Sequence, residues 1–176
     1  MRRMRSGLFW FGAGFLVLLA LFAIFGPWFR HGYLQKVGPP HVPPGAEFWL
    51  GTDEQGRDVF ARLAYGARLS LMIGLSVQTI ALTIGVTLGI VAVYGPVWVR
   101  TPLLRLTDGM FAFPDILLAI LILGVWNLGM VPVIVALAIT SWPGVVRLLR
   151  AQTATLKDRE CVVASRALGA GTWYTV

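Results

Sequence analysis

The chain has 176 residues, of which 57% are hydrophobic and 13% charged, and its mean hydropathy is +0.74. A soluble domain of this size has more polar surface, so the composition excludes that class and indicates an integral membrane protein. The net charge of +7 is also typical of nucleic-acid binding, but here the basic residues flank apolar segments instead of lining one solvated face, which argues against a nucleic-acid partner.

The first apolar segment, Gly7–Phe29, contains 23 uncharged residues. As a helix it is about 34 Å long, which suffices to cross a hydrocarbon core of about 30 Å. A cleaved signal peptide is the alternative, but its apolar region is about 7–15 residues long and is followed by a small-residue cleavage site. We therefore expect residues 1–29 to form an N-terminal tail and a retained membrane helix.

Residues 30–67 are predicted to form a loop outside the membrane. Its proline-rich part, Gly38–Gly45, favours an extended course over helix or sheet. Neither His31 nor His41 has a cysteine or carboxylate beside it at ligand spacing, so both are predicted to be exposed loop residues rather than metal ligands.

A polar motif closes this loop. Thr52 and Gln55 stand at capping-box spacing, and Asp58 can pair with Arg62 one turn later, so we expect a short amphipathic helix that leads into the second span. The motif consists of Gly51, Thr52, Asp53, Gly56, Arg57 and Asp58.

The second uncharged run is Leu69–Val99, with a helix of about 26 residues predicted to end near Tyr94. Gly85 and Gly89 form a small-xxx-small pair that permits close approach of another helix. The polar residues of this span, which include Gln78, are predicted to serve helix packing, with direct substrate contact as the alternative.

The third uncharged run, Ile116–Val146, would be about 47 Å long as one helix, so it must turn. The turn is predicted at Gly124–Pro132, between spans at Leu106–Trp126 and Met130–Leu149.

Two acidic residues lie in or near the third span. An Asp at mid-bilayer costs about 2.5–3.5 kcal/mol, which places both near the membrane edge. Asp108 has Arg105 as a neighbour for ion pairing, whereas Asp115 has no local partner in the sequence and is predicted to face a helix bundle or cavity.

The distribution of basic residues predicts the orientation. With the N-terminus in the cytoplasm, ten of the 15 basic residues are cytoplasmic and five are external. The segment after the fourth span is then cytoplasmic.

This last segment is predicted to form a helix that begins near Thr155, which stands at capping-box spacing from Asp158. The helix is predicted to end before Gly169, and Gly169 is predicted to adopt a left-handed conformation. Cys161, Ala164 and Leu168 fall on one small apolar face. Because Cys161 is the only cysteine, an internal disulfide or a cysteine-rich metal site is excluded. An amphipathic helix lying on lipid is the alternative.

The segment resembles the cytoplasmic coupling loop of ABC-importer permeases, which has an E-A-A core and a glycine a few positions later. Here the core reads Val163-Ala164-Ser165, so valine replaces the first Glu, and Glu160 lies one turn earlier. The residues predicted to contact an ATPase are Glu160, Val163, Ala164, Ser165, Arg166, Leu168 and Gly169.

Other motifs are similar to the dipeptide, oligopeptide and nickel branch of these permeases. They follow in the family's order: the G-T-D-x-x-G-R-D motif at Gly51–Asp58, then Gly66–Leu71, Phe113-Pro114 and Ser141–Gly144. The resemblance implies an all-α polytopic bundle in a bacterial-type inner membrane, with residues 68–176 as part of a permease domain. About four of a probable six helices are present, so we expect a partial chain.

The resemblance also implies the partners: a homologous permease subunit, two cytoplasmic ATPases, an extracytoplasmic solute-binding protein and membrane lipid. We expect transport by alternating access, with ATP hydrolysed by the partners, because no G-x-x-x-x-G-K-[ST] motif occurs here. No catalytic, cofactor-binding or metal-binding residue is predicted. An intramembrane enzyme would have only Asp108 and Asp115, about 10 Å apart on a helix, which is too far for joint proton transfer. A membrane scaffold or anchor is the remaining alternative, and peptide, nickel chelate and other small solutes stay open as cargo.

Overall fold

The computed structural model describes residues 7–29, 32–126, 129–157, 159–169 and 171. Within these ranges the chain forms helices joined by loops, with isolated β-bridges and no β-strand. The helices are α1 (Gly7–Phe25), α2 (Val59–Tyr94), α3 (Val97–Phe111), α4 (Asp115–Val125), α5 (Met130–Lys157) and α6 (Glu160–Ala167). The all-α, polytopic membrane architecture is thereby confirmed, while the orientation of the N-terminus stays a prediction.

Three stretches of the described chain are long and apolar enough to cross a membrane: Gly7–Trp28, Val59–Tyr94 and Met130–Thr153. The first agrees with the predicted span Gly7–Phe29. Here α1 is followed directly by a short 3-10 helix, Gly26–Trp28, that contains Pro27. The count becomes four if α3 and α4 together form one broken span.

The start of α2 differs from the prediction. No separate amphipathic helix precedes it within the described residues, since a single helix of 36 residues runs from Val59 to Tyr94. Its end at Tyr94 is as predicted, because the following Gly95 and Pro96 stop the helix.

The predicted third span, Leu106–Trp126, is wrong as a single helix. α3 and α4 are separate and meet at a bend of 91°. The break falls at Ala112–Pro114, where proline disfavours helical conformation in the residue before it. Asp115 thus begins a new helix.

The chain divides into two compact units, Met1–Met72 and Ile73–Val176. In the first unit the end of α1 packs against the start of α2: Phe22 and Phe60 meet edge to face with ring centroids 5.5 Å apart, and a Cβ atom on Gly26 would lie 2.8 Å from Ala64 Cβ. The predicted division at 29 and 67 stays a prediction.

In the second unit the core joins α2, α3 and α5. Ala92 of α2 is buried against Trp142 and Val146 of α5. Side chains packed around them are Leu88, Leu103, Leu104 and Met110. The predicted close approach at Gly85 and Gly89 is confirmed, because both glycines lie against α5.

Candidate functional site

The predicted coupling segment begins later than the sequence suggests. The Thr155 hydroxyl donates to the Ala151 carbonyl, 3.1 Å away, so Thr155 lies inside α5 and does not cap a new helix. Asp158, its supposed capping partner, lies outside the described residues. Helix α6 starts at Glu160, and the Val163 amide donates to the Arg159 carbonyl at 3.0 Å. The short helix is therefore separate from α5.

The end of α6 agrees with the prediction. Gly169 has a φ of +87°, the left-handed conformation that glycine adopts without steric cost. The Leu168 amide donates to the Ala164 carbonyl at 3.1 Å, which completes the last turn.

One face of α6 is open. Glu160, Val163, Ala164 and Ala167 are exposed, and the exposed fraction of Val163 is 55%. Leu168, just beyond the helix, is 89% exposed. Val162 and Ser165, on the other side, are partly buried. The side chains of Cys161 and Arg166 lie outside the described residues, so their predicted places on the helix stay predictions.

The loop motif surrounds the Asp53 carboxylate. Its Oδ1 atom accepts hydrogen bonds from the amides of Gln55, at 2.8 Å, and Arg57, at 2.9 Å. Its Oδ2 atom accepts from the Arg57 Nε atom at 2.8 Å and forms a second ion pair with Arg62. Arg62 belongs to the first turn of α2, so Asp53 fastens the motif to that helix.

These donors determine the charge state of Asp53. Partial burial alone would raise the pKa of its carboxyl group. Hydrogen bonds from the amide and guanidinium of Arg57, the amide of Gln55 and the guanidinium of Arg62 outweigh that effect. The pKa of Asp53 is therefore held well below its usual range, and the carboxylate is ionised at neutral pH.

Two sequence predictions about this motif are wrong. Thr52 is no helix cap: its hydroxyl donates to the Pro39 carbonyl at 2.6 Å and accepts from the Val42 amide at 2.9 Å. Arg62 forms its ion pair with Asp53 and not with Asp58, the predicted partner. Asp58 is buried and caps α2, accepting from the Phe60 amide at 2.9 Å.

The proline-rich part of the loop folds back onto the motif. The Thr52 amide donates to the Val42 carbonyl at 3.0 Å, and the Val37 amide donates to the Gly56 carbonyl at 2.8 Å. The backbone there is neither helix nor strand, as predicted, but it is a folded loop and not an extended run. Gly51 and Gly56 both have positive φ, of 76° and 72°, where the motif meets the proline-rich part of the loop.

The remaining predicted residues lie on the helices. Gln78 on α2 and Asp115 in the first turn of α4 are both exposed. That Asp115 faces a helix bundle or cavity stays a prediction. His41 is an exposed loop residue with a positive φ of 57°, and His31 lies outside the described residues. The described part of the chain contains no cluster of three His, Cys, Asp or Glu side chains suited to a metal ion.

Sequence reasoning missed the pairing of Asp53 with Arg62, nine residues later, because capping patterns consider only neighbours three or four positions apart. It also missed the break between α3 and α4, for which Pro114 was the available signal.

Comparison with known proteins gives two matches to family models. Residues 62–176 match the model for the binding-protein-dependent transport system inner membrane component. Residues 2–44 match the N-terminal transmembrane domain of oligopeptide transport permease C. The two matches leave residues 45–61 between them uncovered.

Individual relatives are similar over most of the chain. A di/tripeptide transport system permease protein, DppC, of Pseudomonas aeruginosa is 42% identical over 92% of this chain and 56% of its own length. The dipeptide permease DppC of Bacillus subtilis is 39% identical over 93% of this chain and 52% of its own. The oligopeptide permease OppC of Bacillus subtilis is 37% identical over 89% and 52%. The chain thus spans about half the length of these relatives.

Proposed function

Because the chain belongs to the family of binding-protein-dependent transport system inner membrane components, we propose that it acts in a permease subunit of an ATP-binding-cassette importer. It is a multi-pass protein of the bacterial inner membrane. The proposed cargo is a peptide or a related small solute, since the relatives' names refer to dipeptides, di/tripeptides and oligopeptides.

The observation that carries the proposal is the open face of α6. The helix follows the membrane helix α5 directly and exposes Val163, Ala164 and Leu168. Small and apolar side chains on a short, well-terminated helix suit a shallow groove on a partner. We infer that this partner is a cytoplasmic ATPase, which binds and hydrolyses ATP and moves α6 together with α5.

The remaining parts of the proposed transporter follow from the same family. A homologous permease subunit completes the pathway, a second ATPase completes the motor, and an extracytoplasmic binding protein delivers the solute. We propose Gln78 and Asp115 as residues that face the pathway, because both are polar, exposed and located on membrane helices. The loop motif around Asp53 is proposed as an external structural element.

Two carboxylate substitutions on α6 test the ATPase contact. Ala164→Asp places a charge in the proposed groove contact and is expected to lower ATPase copurification and solute uptake together, by about tenfold or more. Val163→Glu adds the same charge at the position where the family has Glu, and is expected to leave both unchanged or raise them. The full-length protein is purified from its membrane at matched expression.

The two variants distinguish the outcomes. Equal losses in both would mean that the effect of a carboxylate does not depend on its position on the exposed face of α6, which contradicts the proposed family-like contact. If neither variant affects ATPase copurification, α6 is not the contact. A protein that copurifies with no ATPase subunit at all would be a scaffold rather than an importer subunit. Uptake of labelled dipeptides, oligopeptides and nickel chelates then identifies the cargo.

A further inference from the structure

Helix α3 differs from its neighbour α4 in charge. Neither helix alone is long enough to cross a hydrocarbon core of about 30 Å, because the 15 residues of α3 extend about 22 Å and the 11 residues of α4 about 16 Å. Helix α3 contains Arg100, Arg105 and Asp108, whereas the only charged residue of α4 is Asp115 at its first position. At the bilayer centre each such side chain would cost about 2.5–3.5 kcal/mol.

The bend between α3 and α4 allows only one of them to follow the membrane normal. With 91° between the two axes, a helix in the direction of the normal places the other in the membrane plane. The charges of α3 and the apolar surface of α4, where Ile116 and Leu121 are 74% and 67% exposed, decide which one enters the membrane. This difference favours entry of α4 into the membrane and a position of α3 along its surface.

Packing against α5 determines the membrane depth of the C-terminal end of α3. The Arg147 guanidinium lies over the Phe111 ring, with 4.7 Å from Cζ to the ring centroid. Arg147 is the first charged residue after the apolar run that ends at Val146, so it marks a membrane boundary. The C-terminal end of α3 is therefore at that boundary, on the side that the count of basic residues predicts to be cytoplasmic.

The two faces of α3 have different surroundings. The inner face, with Leu103, Thr107 and Met110, packs in the unit's core or is buried. The outer face contains Trp98, which is 78% exposed, and Arg105, two turns later on the same side. An exposed tryptophan and an arginine on one face are typical of a helix in the headgroup region.

We propose that α3 is an interfacial helix whose outer face binds anionic lipid headgroups. Charge complementarity favours this occupant: α3 and the α5 segment 146–150 contain four arginines, at 100, 105, 147 and 150, against one acidic residue, Asp108. Trp98 lies in the headgroup layer, and Arg105 contacts lipid phosphate. This proposal concerns the membrane and does not depend on the transported solute.

Depth measurements with spin labels test the placement. In a Cys161→Ser background of the full-length transporter in vesicles, cysteines replace Pro102 and Gly109, two exposed positions seven apart on one face of α3. The matched control pair in α4 is Leu117 and Gly124, also exposed and seven apart. Oxygen and a water-soluble nickel complex report the immersion depth of each label.

The expected result is equal depth for the α3 pair and a difference of about 10 Å for the α4 pair, because seven helical residues rise by that distance. A difference of about 10 Å within the α3 pair would overturn the proposal. Labels on α3 that become shielded from both reagents only when the ATPase is bound would show that a protein, and not lipid, covers this face.

Lipid selectivity tests the occupant. The association of spin-labelled phosphatidylglycerol is compared with that of phosphatidylcholine in the same vesicles. Arg105→Gln is expected to reduce the preference for phosphatidylglycerol at α3 by up to about fivefold, and Arg105→Lys is expected to retain it, because the interaction depends on charge near the surface. An unchanged preference in Arg105→Gln would overturn the role of anionic headgroups.

Discussion

Gly85 of α2 lies so close to Val145 of α5 that a Cβ atom on the glycine would come within 2.7 Å of the Val145 Cγ1 atom and 3.1 Å of the Trp142 carbonyl oxygen. Gly89, one turn later, has the same relationship to Leu149, whose Cδ2 atom would be 2.6 Å away. The two glycines let α2 and α5 pack closely, and helix packing of this kind depends on van der Waals contact in the membrane.

Gly85→Ala is therefore expected to destabilise the protein by about 1–3 kcal/mol, because Val145 and the α5 backbone cannot move away without cost. Gly74→Ala is the matched control on the same helix, since a Cβ atom on Gly74 would have no other atom within 4 Å and alanine favours helix. Thermal unfolding in detergent measures both. Recovery of stability in Gly85→Ala combined with Val145→Ala would support the contact, and equal stability of the two single variants would contradict it.

A second prediction concerns the pH dependence of the external loop. The pKa of Asp53 in the folded loop lies below the value of about 3.9 for an unfolded Asp. The ionised carboxylate therefore stabilises the folded loop fully above about pH 3.9, and this stabilisation is lost as the pH falls below that value. Asp53→Asn removes the ion pairs with Arg57 and Arg62, so it should loosen the loop at neutral pH and remove the acid dependence.

Hydrogen exchange of residues 51–58, corrected for the intrinsic rate at each pH, measures this effect. Glu54→Gln serves as the control for loss of a carboxylate in the same motif, because Glu54 is exposed. Acid sensitivity that persists unchanged in Asp53→Asn would assign the transition to another group.

The glycine at position 56 gives a third prediction. Its φ is +72°, and a Cβ atom there would overlap the Gly38 carbonyl oxygen, so Gly56→Ala is expected to cost at least about 1–2 kcal/mol in loop stability. Gly45→Ala is the control, since the nearest atom would be the Pro43 oxygen at 4.0 Å. Trypsin cleavage after Arg57 should accelerate in the first variant only, and similar cleavage rates in both would show that the loop adapts to the added methyl group.

The sequence predicted the membrane helices where one local signal dominates. α1 and the start of α5 at Met130 follow from uncharged runs with clear ends, and the small-residue pair at Gly85 predicted its close packing. Gly169 also adopts its predicted left-handed conformation, because glycine after a short helix has few competing roles.

The wrong predictions arise where local patterns compete with longer-range contacts. Thr155 matches a capping box, but α5 continues through it and its hydroxyl bonds within the helix. Asp58 matches an ion pair with Arg62, but the Asp53 carboxylate already accepts from the amides of Gln55 and Arg57 and pairs with the Arg57 guanidinium, and Arg62 completes that cluster. The pairing of Arg62 depends on how residues 38–45 fold back onto the motif, and no sequence periodicity encodes that loop structure.

The orientation of the chain gives a fourth prediction, since the ten-to-five distribution of basic residues places the N-terminus in the cytoplasm. In a Cys161→Ser background, Gly45→Cys should react with a membrane-impermeant thiol reagent added outside intact cells. Gly171→Cys should react only after the membrane is made permeable. Both positions are exposed, so a reversed pattern would reverse the topology and place α6 on the side without ATPases.

The last prediction concerns Gly169, which ends α6 with a φ of +87°. Gly169→Val forces a β-branched residue toward a conformation that it rarely adopts, so the last turn of α6 and the exposed Leu168 should change position. Membrane insertion should be normal because the residue lies beyond the predicted spans. Solute uptake should fall at least about tenfold while ATP hydrolysis falls less, since a displaced α6 transmits ATPase motion poorly.

Gly171→Val is the matched control, two residues later, because this glycine is exposed and does not need a positive φ. Expression, uptake and ATPase copurification are measured for both variants of the full-length protein. If α6 only rests on lipid, both valines should be tolerated, because no partner groove constrains the end of the helix. Normal uptake in Gly169→Val would therefore remove the coupling role from α6, whereas a loss confined to that variant would support it.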